Sequence, residues 1–454
     1  MVFTLALLEG TTVFAATVFF LMMMRPDPAL IDGLGMPLLV IPALAVSGCY
    51  LLSFYNELYE LQVVREIKKI GPRLLQSLLL AVLLLGAGYT LLSGMDGGTL
   101  FASTFLLIGA FVVPLRAVSY GLITRRPTPE RVLILGTGLL ARKIADEIRR
   151  NEDLPYLVVG MMDDSGGATL PGDRAPVPPE VLEEMEQMIR DLSPDRLVVA
   201  FSERRGRLPV WSLLSSCASG MHVDDGIDFY ERLTSKLAIE TLTPSFLIFH
   251  RALQKSRWQL ALRRAFSVVG GLAAVIIAAP VMGLVALLVK LDSPGPVFFV
   301  QERVGLRGRI FRLLKFRTMQ GPPPENHDVW SRDDRLRLTR LGRWLRDLHL
   351  DELPQLFNVL KGDMDLVGPR PEMACNVEAM TEHVPYFGLR HIVRPGVTGW
   401  AQIKQGYSVS LDEVTEKMRY DLYYIKNMSL WFDLRIVLVT ARIFLFGLLG
   451  RNGR

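Results

Sequence analysis

The chain has few of the residues that build small metal or disulfide scaffolds. Its three cysteines, Cys49, Cys217 and Cys375, lie far apart in 454 residues and form no C-x-x-C pair. That excludes a disulfide framework and a cysteine zinc site, and it suits a reducing cytosolic face. The six histidines (His222, His250, His327, His349, His383 and His391) show no paired ligand spacing, so they read as structural or surface residues. Charge is also scarce. Only 21% of residues are Asp, Glu, Lys or Arg, against roughly a quarter in soluble domains. The composition excludes a disordered chain and a collagen-like fibre. The opening Met-Val-Phe-Thr lacks the basic stretch of a secretory signal, so the first apolar run is not expected to be cleaved.

Apolar sequence is what the chain has in abundance. Half of it is hydrophobic, and 51 Lys and Arg against 46 Asp and Glu leave a net charge of only +5. The length suggests about three domains. The sum is a membrane protein with substantial soluble parts, and no nucleic-acid partner is expected. Segments near 5–24 (carrying Glu9), 37–54, 74–93 and 99–115 are each long enough, or nearly so, to span a hydrocarbon core. Arg65, Lys68, Lys69 and Arg73 separate the second and third, and Arg116, Arg125, Arg126 and Arg131 come after the fourth. The other two loops hold only Arg25. Positive charge inside then places both ends of this block, and the rest of the chain beyond it, in the cytoplasm.

From Arg131 the pattern changes to short β-rich runs alternating with helical ones. A strand from Arg131 to Leu135, a helix to Arg150, a second strand over 157–164, a helix over Pro179–Leu192 and a third strand over 196–201 predict a parallel, Rossmann-like α/β domain. Gly136, Gly138 and Ala141 form a G-x-G-x-x-A run opening the first helix, with Asp163 ending the second strand. This is a candidate nucleotide loop. A tight strand-to-helix turn with no dinucleotide is the plainer reading, because fold does not fix function.

Residues 265–289 carry no charge. Length alone makes them a fifth span, yet basic clusters flank both sides: Lys255, Arg257, Arg263 and Arg264 before, Lys290, Arg303, Arg307 and Arg309 after. Pro280 interrupts the middle and removes a helical hydrogen bond. A re-entrant hairpin that enters and leaves on the cytoplasmic side satisfies both observations better than a span.

Beyond it the polar residues cluster. A Pro-Gly-Pro turn at 294–296 leads to a strand-like run, and if 311–317 is a strand, Lys315 and Arg317 share a face that suits a phosphate. Asp351 and Glu352 precede Pro354, where a helix is expected to begin, and the helix dipole favours ionised carboxylates there. Ordinary acidic capping would explain an isolated Asp-Glu pair. Here Arg370 and Arg394 each sit in a rigid Pro/Gly turn as well. With Arg346, the candidate phosphate-binding set is Lys315, Arg317, Arg346, Arg370 and Arg394. Two carboxylates among fixed cations describe a phosphoryl-transfer site with a metal ion.

In order and spacing, the motifs at 293–299, 315–319, 350–360, 367–371 and 394–402 resemble those of bacterial polyprenyl-phosphate hexose-1-phosphate transferases, the monotopic phosphoglycosyl transferases. The likeness covers about residues 258–440. The upstream half resembles the long members that start O-antigen, capsule and exopolysaccharide synthesis. The resemblance implies a membrane α-helical block (1–125), a Rossmann-like α/β domain (126–250) and an α+β transferase domain (251–454). The last would hold the re-entrant membrane helix at 265–289 and an interfacial tail at 429–450. It also implies that Asp351 attacks the β-phosphorus of a UDP-sugar, releases UMP, and passes the phosphosugar to undecaprenyl phosphate. Mg²⁺ would be held by Asp351 and Glu352, with Glu352 a ligand or base. The setting would be the cytoplasmic face of the bacterial inner membrane, with the lipid bilayer as partner. The amino-terminal half would offer surface for a homodimer.

Two positions depart from the family pattern. Ser267 stands where an Asp is common, and Asp334-Arg335-Leu336 replaces Asp-Pro-Arg before Thr339 and Gly342. The tail near 430–449 is interrupted by Asp433, Arg435 and Arg442 and reads as an interfacial segment, with Trp431 and Phe432 at headgroup level. An NAD-dependent nucleotide-sugar dehydratase is a rival. It requires Tyr-x-x-x-Lys, but Thr124, Gly160 and Thr234 stand four residues after Tyr120, Tyr156 and Tyr230. A non-catalytic assembly scaffold is the other, and the intact Asp351, Glu352 and Arg370 argue against it.

Overall fold

The computed structural model describes residues 129–151, 154–162, 179–201, 209–242, 255–320, 337–405 and 410–449, with Thr11 and Phe14. The four apolar segments expected before residue 125 lie almost wholly outside these residues, and Asp163 lies outside them. The chain divides into two compact units, Met1–Glu130 with Asn151–Pro155, and Arg131–Arg150 with Tyr156–Arg454.

Strands β1 (Glu130–Leu135), β2 (Tyr156–Met162), β3 (Arg196–Val199) and β4 (His222–Asp225), which but for Glu130 belong to the second unit, form one sheet in the order β2-β1-β3-β4. β1 pairs with β3, and β3 with β4, in parallel. Val132 to Leu135 are fully buried, as expected for a parallel strand covered on both faces. Helix α1 (Leu139–Arg150) buries Leu140, Ala141, Ile144, Ala145 and Ile148, an i, i+4 stripe. Helix α2 (Pro179–Leu192) adds Met185 to the core of Leu133, Met162 and Leu197. Helices α3 (Val210–Ala218) and α4 (Gly226–Thr234) flank β4. Gly136 has φ +123°, and a Cβ there would lie 2.6 Å from the Ala200 carbonyl oxygen. The close approach of two strand ends therefore already requires this glycine. Gly138 is half-buried where α1 begins.

Helix α5 (Arg257–Asp292) runs for 36 residues with Pro280 inside it. Among the described residues it alone is long and apolar enough to cross a membrane. Both of its ends pack on the same body. Near the start, Arg263 pairs with Asp433 at 2.7 Å, and Arg264 donates to the carbonyls of Val359 and Met364. Near the end, Met282, Val285 and Val289 join Phe316 and Leu345 in a buried cluster. Leu272, Ile276, Ile277, Leu284 and Leu287 are exposed.

Strands β5 (Phe298–Val304) and β6 (Ile310–Phe316) form an antiparallel hairpin. Helices α6 (Arg340–Asp347) and α7 (Gln355–Lys361) come next, then β7 (Asp365–Val367), α8 (Ala374–His383), β8 (Gly396–Thr398), α9 (Trp400–Lys404), α10 (Leu411–Asn427) and α11 (Leu430–Leu449). β7 and β8 pair in parallel. α10 joins the two halves of the unit: Lys426 pairs with Glu231 of α4 at 2.5 Å, and Arg419 pairs with Glu240. The tail expectation needs one correction. Trp431 is exposed, but Phe432 turns inward onto Trp400, Tyr423 and Tyr424, and Asp433 is buried against Arg263. An aromatic cluster and an ion pair hold this segment to the domain.

Candidate active site

Asp351 and Glu352 share a single 3₁₀ turn, Leu350–Glu352, between α6 and α7. His349 makes the bend into it at φ 52°, a left-handed conformation that His tolerates better than most residues. Pro354, at φ −62°, caps α7, which begins one residue later at Gln355. Proline serves here because the first helical turn needs no amide donor.

The strand beside this turn is fastened to it. Asn358 of α7 is 1% exposed, and its amide bonds β6 on both sides. The Leu314 N–H donates to Oδ1 at 3.0 Å, and Nδ2 donates to the Arg312 carbonyl at 2.8 Å. The next residue, Lys315, thereby reaches Glu352, with Nζ donating to Oε1 at 2.9 Å. Arg370 grips the same carboxylate from the other side, Nη2 to Oε1 at 2.6 Å and Nη1 to Oε2 at 3.2 Å. Such two-pronged, charge-assisted bonds are among the strongest polar contacts.

The two carboxylates consequently differ. Burial raises the pKa of Glu352, but Arg370 and Lys315 outweigh it and hold the group well below the usual carboxylate range. Asp351 is 7% exposed, and no hydrogen bond or ion pair engages its side chain among the described residues. Burial raises its pKa, Lys315 opposes, and Glu352 beside it raises it further. The helix dipole acts the other way; desolvation and the neighbouring carboxylate prevail over it. An ionised carboxylate of raised pKa is the more basic, and so the better nucleophile, of the two.

The candidate cations do not all converge. Arg346 of α6 bears on Asp351 electrostatically, and its Nε donates to Thr318 Oγ1 at 3.1 Å. Arg317 does not join Lys315. β6 ends at Phe316, so strand alternation stops one residue short. The Arg317 guanidinium instead donates to the Ser293 and Pro294 carbonyls, at 2.6 and 2.9 Å. Arg394 donates to the Gly362 carbonyl at 3.1 Å, at the opposite end of α7 from Asp351. Pro280 lies on α5, away from the carboxylate turn in sequence, and Gly136 and Gly138 lie in the turn between β1 and α1.

A second charged group behind the site went unmarked in sequence. Arg390, 3% exposed, pairs with Glu372 at 3.1 Å and Asp421 at 2.8 Å, and also donates to the Arg370 carbonyl at 2.9 Å. Lys417 of α10 completes it on Glu372. Glu372 comes directly after the Arg370-Pro371 turn, but no local spacing links it to residues 390, 417 and 421.

Gly342 fixes Arg346. A Cβ there would lie 2.0 Å from the Thr318 carbonyl oxygen, so α6 sits against that backbone as closely as glycine allows. Gly342→Ala is expected to lower the unfolding temperature and to cut turnover by about tenfold or more, through displacement of Arg346. Thermal unfolding and a transfer assay on the same preparation read both.

As for a metal ion, no group of three or more Asp, Glu, His or Cys gathers among the described residues. Asp351 can offer an oxygen, and Mg²⁺ commonly takes one or two carboxylates with the remainder from phosphate and water. The donor set fits on that basis. Glu352 is the poorer ligand, since both its oxygens already accept from Lys315 and Arg370.

The family profile described as "Bacterial sugar transferase" matches residues 258–447, which takes in α5, the Asp351–Glu352 turn and Arg370. A UDP-N-acetylgalactosamine-undecaprenyl-phosphate N-acetylgalactosaminephosphotransferase of Aeromonas hydrophila is 42% identical over 217 residues, 48% of this chain and 51% of that protein. An undecaprenyl-phosphate glucose phosphotransferase of Komagataeibacter xylinus is 33% identical over 330 residues, 70% of this chain and 60% of the relative. The chain thus matches between half and three-fifths of the length of these two relatives. An exopolysaccharide production protein, PSS, of Rhizobium leguminosarum bv. phaseoli is 40% identical over 189 residues, which cover 94% of it. On this match across nearly the whole of a relative, the chain belongs to the bacterial sugar transferase family.

Proposed function

We propose that the protein transfers a sugar 1-phosphate from a UDP-sugar to undecaprenyl phosphate, in two steps on Asp351. The observation that carries this is the contrast between neighbours: a buried carboxylate that no hydrogen bond or ion pair engages among the described residues, beside one neutralised by two cations. In the first step an Asp351 oxygen attacks the β-phosphorus. The bond to the bridging oxygen breaks, and UMP leaves with the electron pair. In the second, an oxygen of the lipid phosphate attacks the same phosphorus and returns Asp351 as a carboxylate. The lipid phosphate is already ionised near neutral pH, so no base is needed to activate it. Glu352, held below the usual carboxylate range, is a weak base and acts as a positioning residue that keeps Lys315 and Arg370 beside the transferring phosphate. Mg²⁺ held by Asp351 and the diphosphate would neutralise charge on the phosphate oxygens.

The membrane arrangement follows from the two substrates, one soluble and one lipid. The amino-terminal four-helix block anchors the chain in the bacterial inner membrane, and the parallel sheet belongs to a Rossmann-like domain on the cytoplasmic face. α5 enters and leaves one leaflet on that face. Its support is that both ends pack on one body while the apolar middle is exposed. A homodimer through the amino-terminal half is compatible with this arrangement. The sugar stays open, because the names of the relatives print both glucose and N-acetylgalactosamine.

The test is UMP release by purified protein in lipid, screened across UDP-sugars with and without undecaprenyl phosphate. At least one UDP-sugar is expected to give UMP and a lipid-linked sugar diphosphate. No UMP from any of them would overturn the reading.

A further inference from the structure

Lys315 and Arg370 are both committed to Glu352, and Arg346 is exposed on α6. The departing UMP carries a phosphate whose negative charge grows as the bridging bond breaks, and none of these three is free of other duties to receive it. A further cation stands on β5. Arg303 lies near the end of that strand, bridged across to Met373. Its charge is felt at the site: Glu352, Arg370, Glu372 and Cys375 all act on it electrostatically.

The surroundings of Arg303 are unusual for a half-buried guanidinium. No carboxylate lies within ion-pair distance among the described residues. Its bonds go to neutral acceptors only: Nε and Nη2 to Gln301 Oε1, at 3.2 and 2.7 Å, and Nη1 to the Pro371 carbonyl at 3.0 Å. Three of five N–H groups are used, which leaves two donors without an acceptor among the described residues. Gln301 is equally underused, since Nε2 donates only to the Met373 sulfur at 3.0 Å, a weak acceptor. Burial pushes the pKa of Arg303 down to about 10, with Glu372 opposing and Arg370 reinforcing. A half-buried guanidinium with no carboxylate in contact among the described residues is costly to keep charged unless a ligand supplies the anion.

We infer that Arg303, oriented by Gln301, binds the phosphates on the nucleotide side of the sugar donor and stabilises UMP as it departs. This rests on the two-step reading above. The Pro371 contact ties Arg303 to the turn that presents Arg370, so the two guanidinium groups approach the diphosphate from one rigid support. The lipid phosphate needs no contact with Arg303.

The experiment compares wild-type protein in lipid nanodiscs with Arg303→Gln and Arg303→Lys. Arg303→Gln is expected to raise KM for the UDP-sugar about tenfold or more, and to weaken inhibition by UMP to a similar degree. KM for undecaprenyl phosphate should stay within about twofold, and Arg303→Lys should recover part of the loss. An unchanged KM for the UDP-sugar, or a parallel rise in both KM values with a lowered unfolding temperature, would overturn the inference. If Arg303→Gln does not fold, Gln301→Glu sets a carboxylate against the guanidinium and should give the same split; an unchanged KM there is equally adverse. UMP binding by calorimetry keeps this separate from the reading of the overall reaction. Binding by the wild type that is lost in the variant supports the inference even where turnover fails. Equal binding, or none, contradicts it.

Discussion

Asp351→Asn is expected to abolish sugar-phosphate transfer, lowering turnover by about four orders of magnitude or more, as loss of a covalent nucleophile does elsewhere. The change is nearly isosteric. It also removes a buried charge that no hydrogen bond or ion pair engages among the described residues, so the fold should be unharmed or slightly steadier. That combination is diagnostic. A structural carboxylate would show the reverse pattern, with stability lost and activity going with it. The measurement pairs UMP release with thermal unfolding, and undiminished turnover would reject covalent catalysis by this residue.

Arg390→Met is expected to have the largest effect on stability, about 3–5 kcal/mol. Arg390 and Asp421 are both 2% exposed in their side chains, and Glu372 is 14% exposed. Methionine fills similar space but leaves two carboxylates behind with only Lys417 between them. Burial raises the pKa of Asp421, and Arg390 opposes it most, with Lys417 adding to the opposition. Without the arginine, Asp421 should take up a proton, which limits the cost without removing it. Activity should fall as well, because Arg390 also fixes the carbonyl of Arg370, the residue that grips Glu352. Urea unfolding in detergent reads the first effect and a transfer assay the second. The double change Arg390→Met with Asp421→Leu should recover part of the stability, since it removes one of the stranded charges.

What could be read in the sequence was local. Pro179–Leu192 is a helix, α1 ends at Arg150, and Pro354 marks the start of α7. Each rests on signals within a few residues. The Asp351–Glu352 turn and Arg370 were legible for the same reason, as compact motifs. Arg317 was misplaced because alternation holds only while the strand lasts, and β6 stops at Phe316. Phe432 was misplaced because aromatic exposure depends on what packs above it, here Trp400 and Tyr423. The pairs that fix the site were beyond reach. Arg263 finds Asp433 across 170 residues, and Arg390 finds Asp421 across 31. Nothing in either neighbourhood announces the partner. Asn358 shows a third kind of limit. It stands in a motif that was plain to see, but its service to β6 depends on a side-chain direction that only the fold supplies.

On the proposed two-step reading, the phosphosugar rests on Asp351 between two half-reactions. The most direct measurement is a single turnover with UDP-sugar labelled in the β-phosphate and with no undecaprenyl phosphate present. A burst of about one UMP per active site is expected, with label and sugar mass retained on the peptide that contains Asp351 and released when the lipid is added. Full turnover with lipid, but no burst and no labelled peptide without it, would mean direct transfer between the substrates and would rule out an intermediate on Asp351.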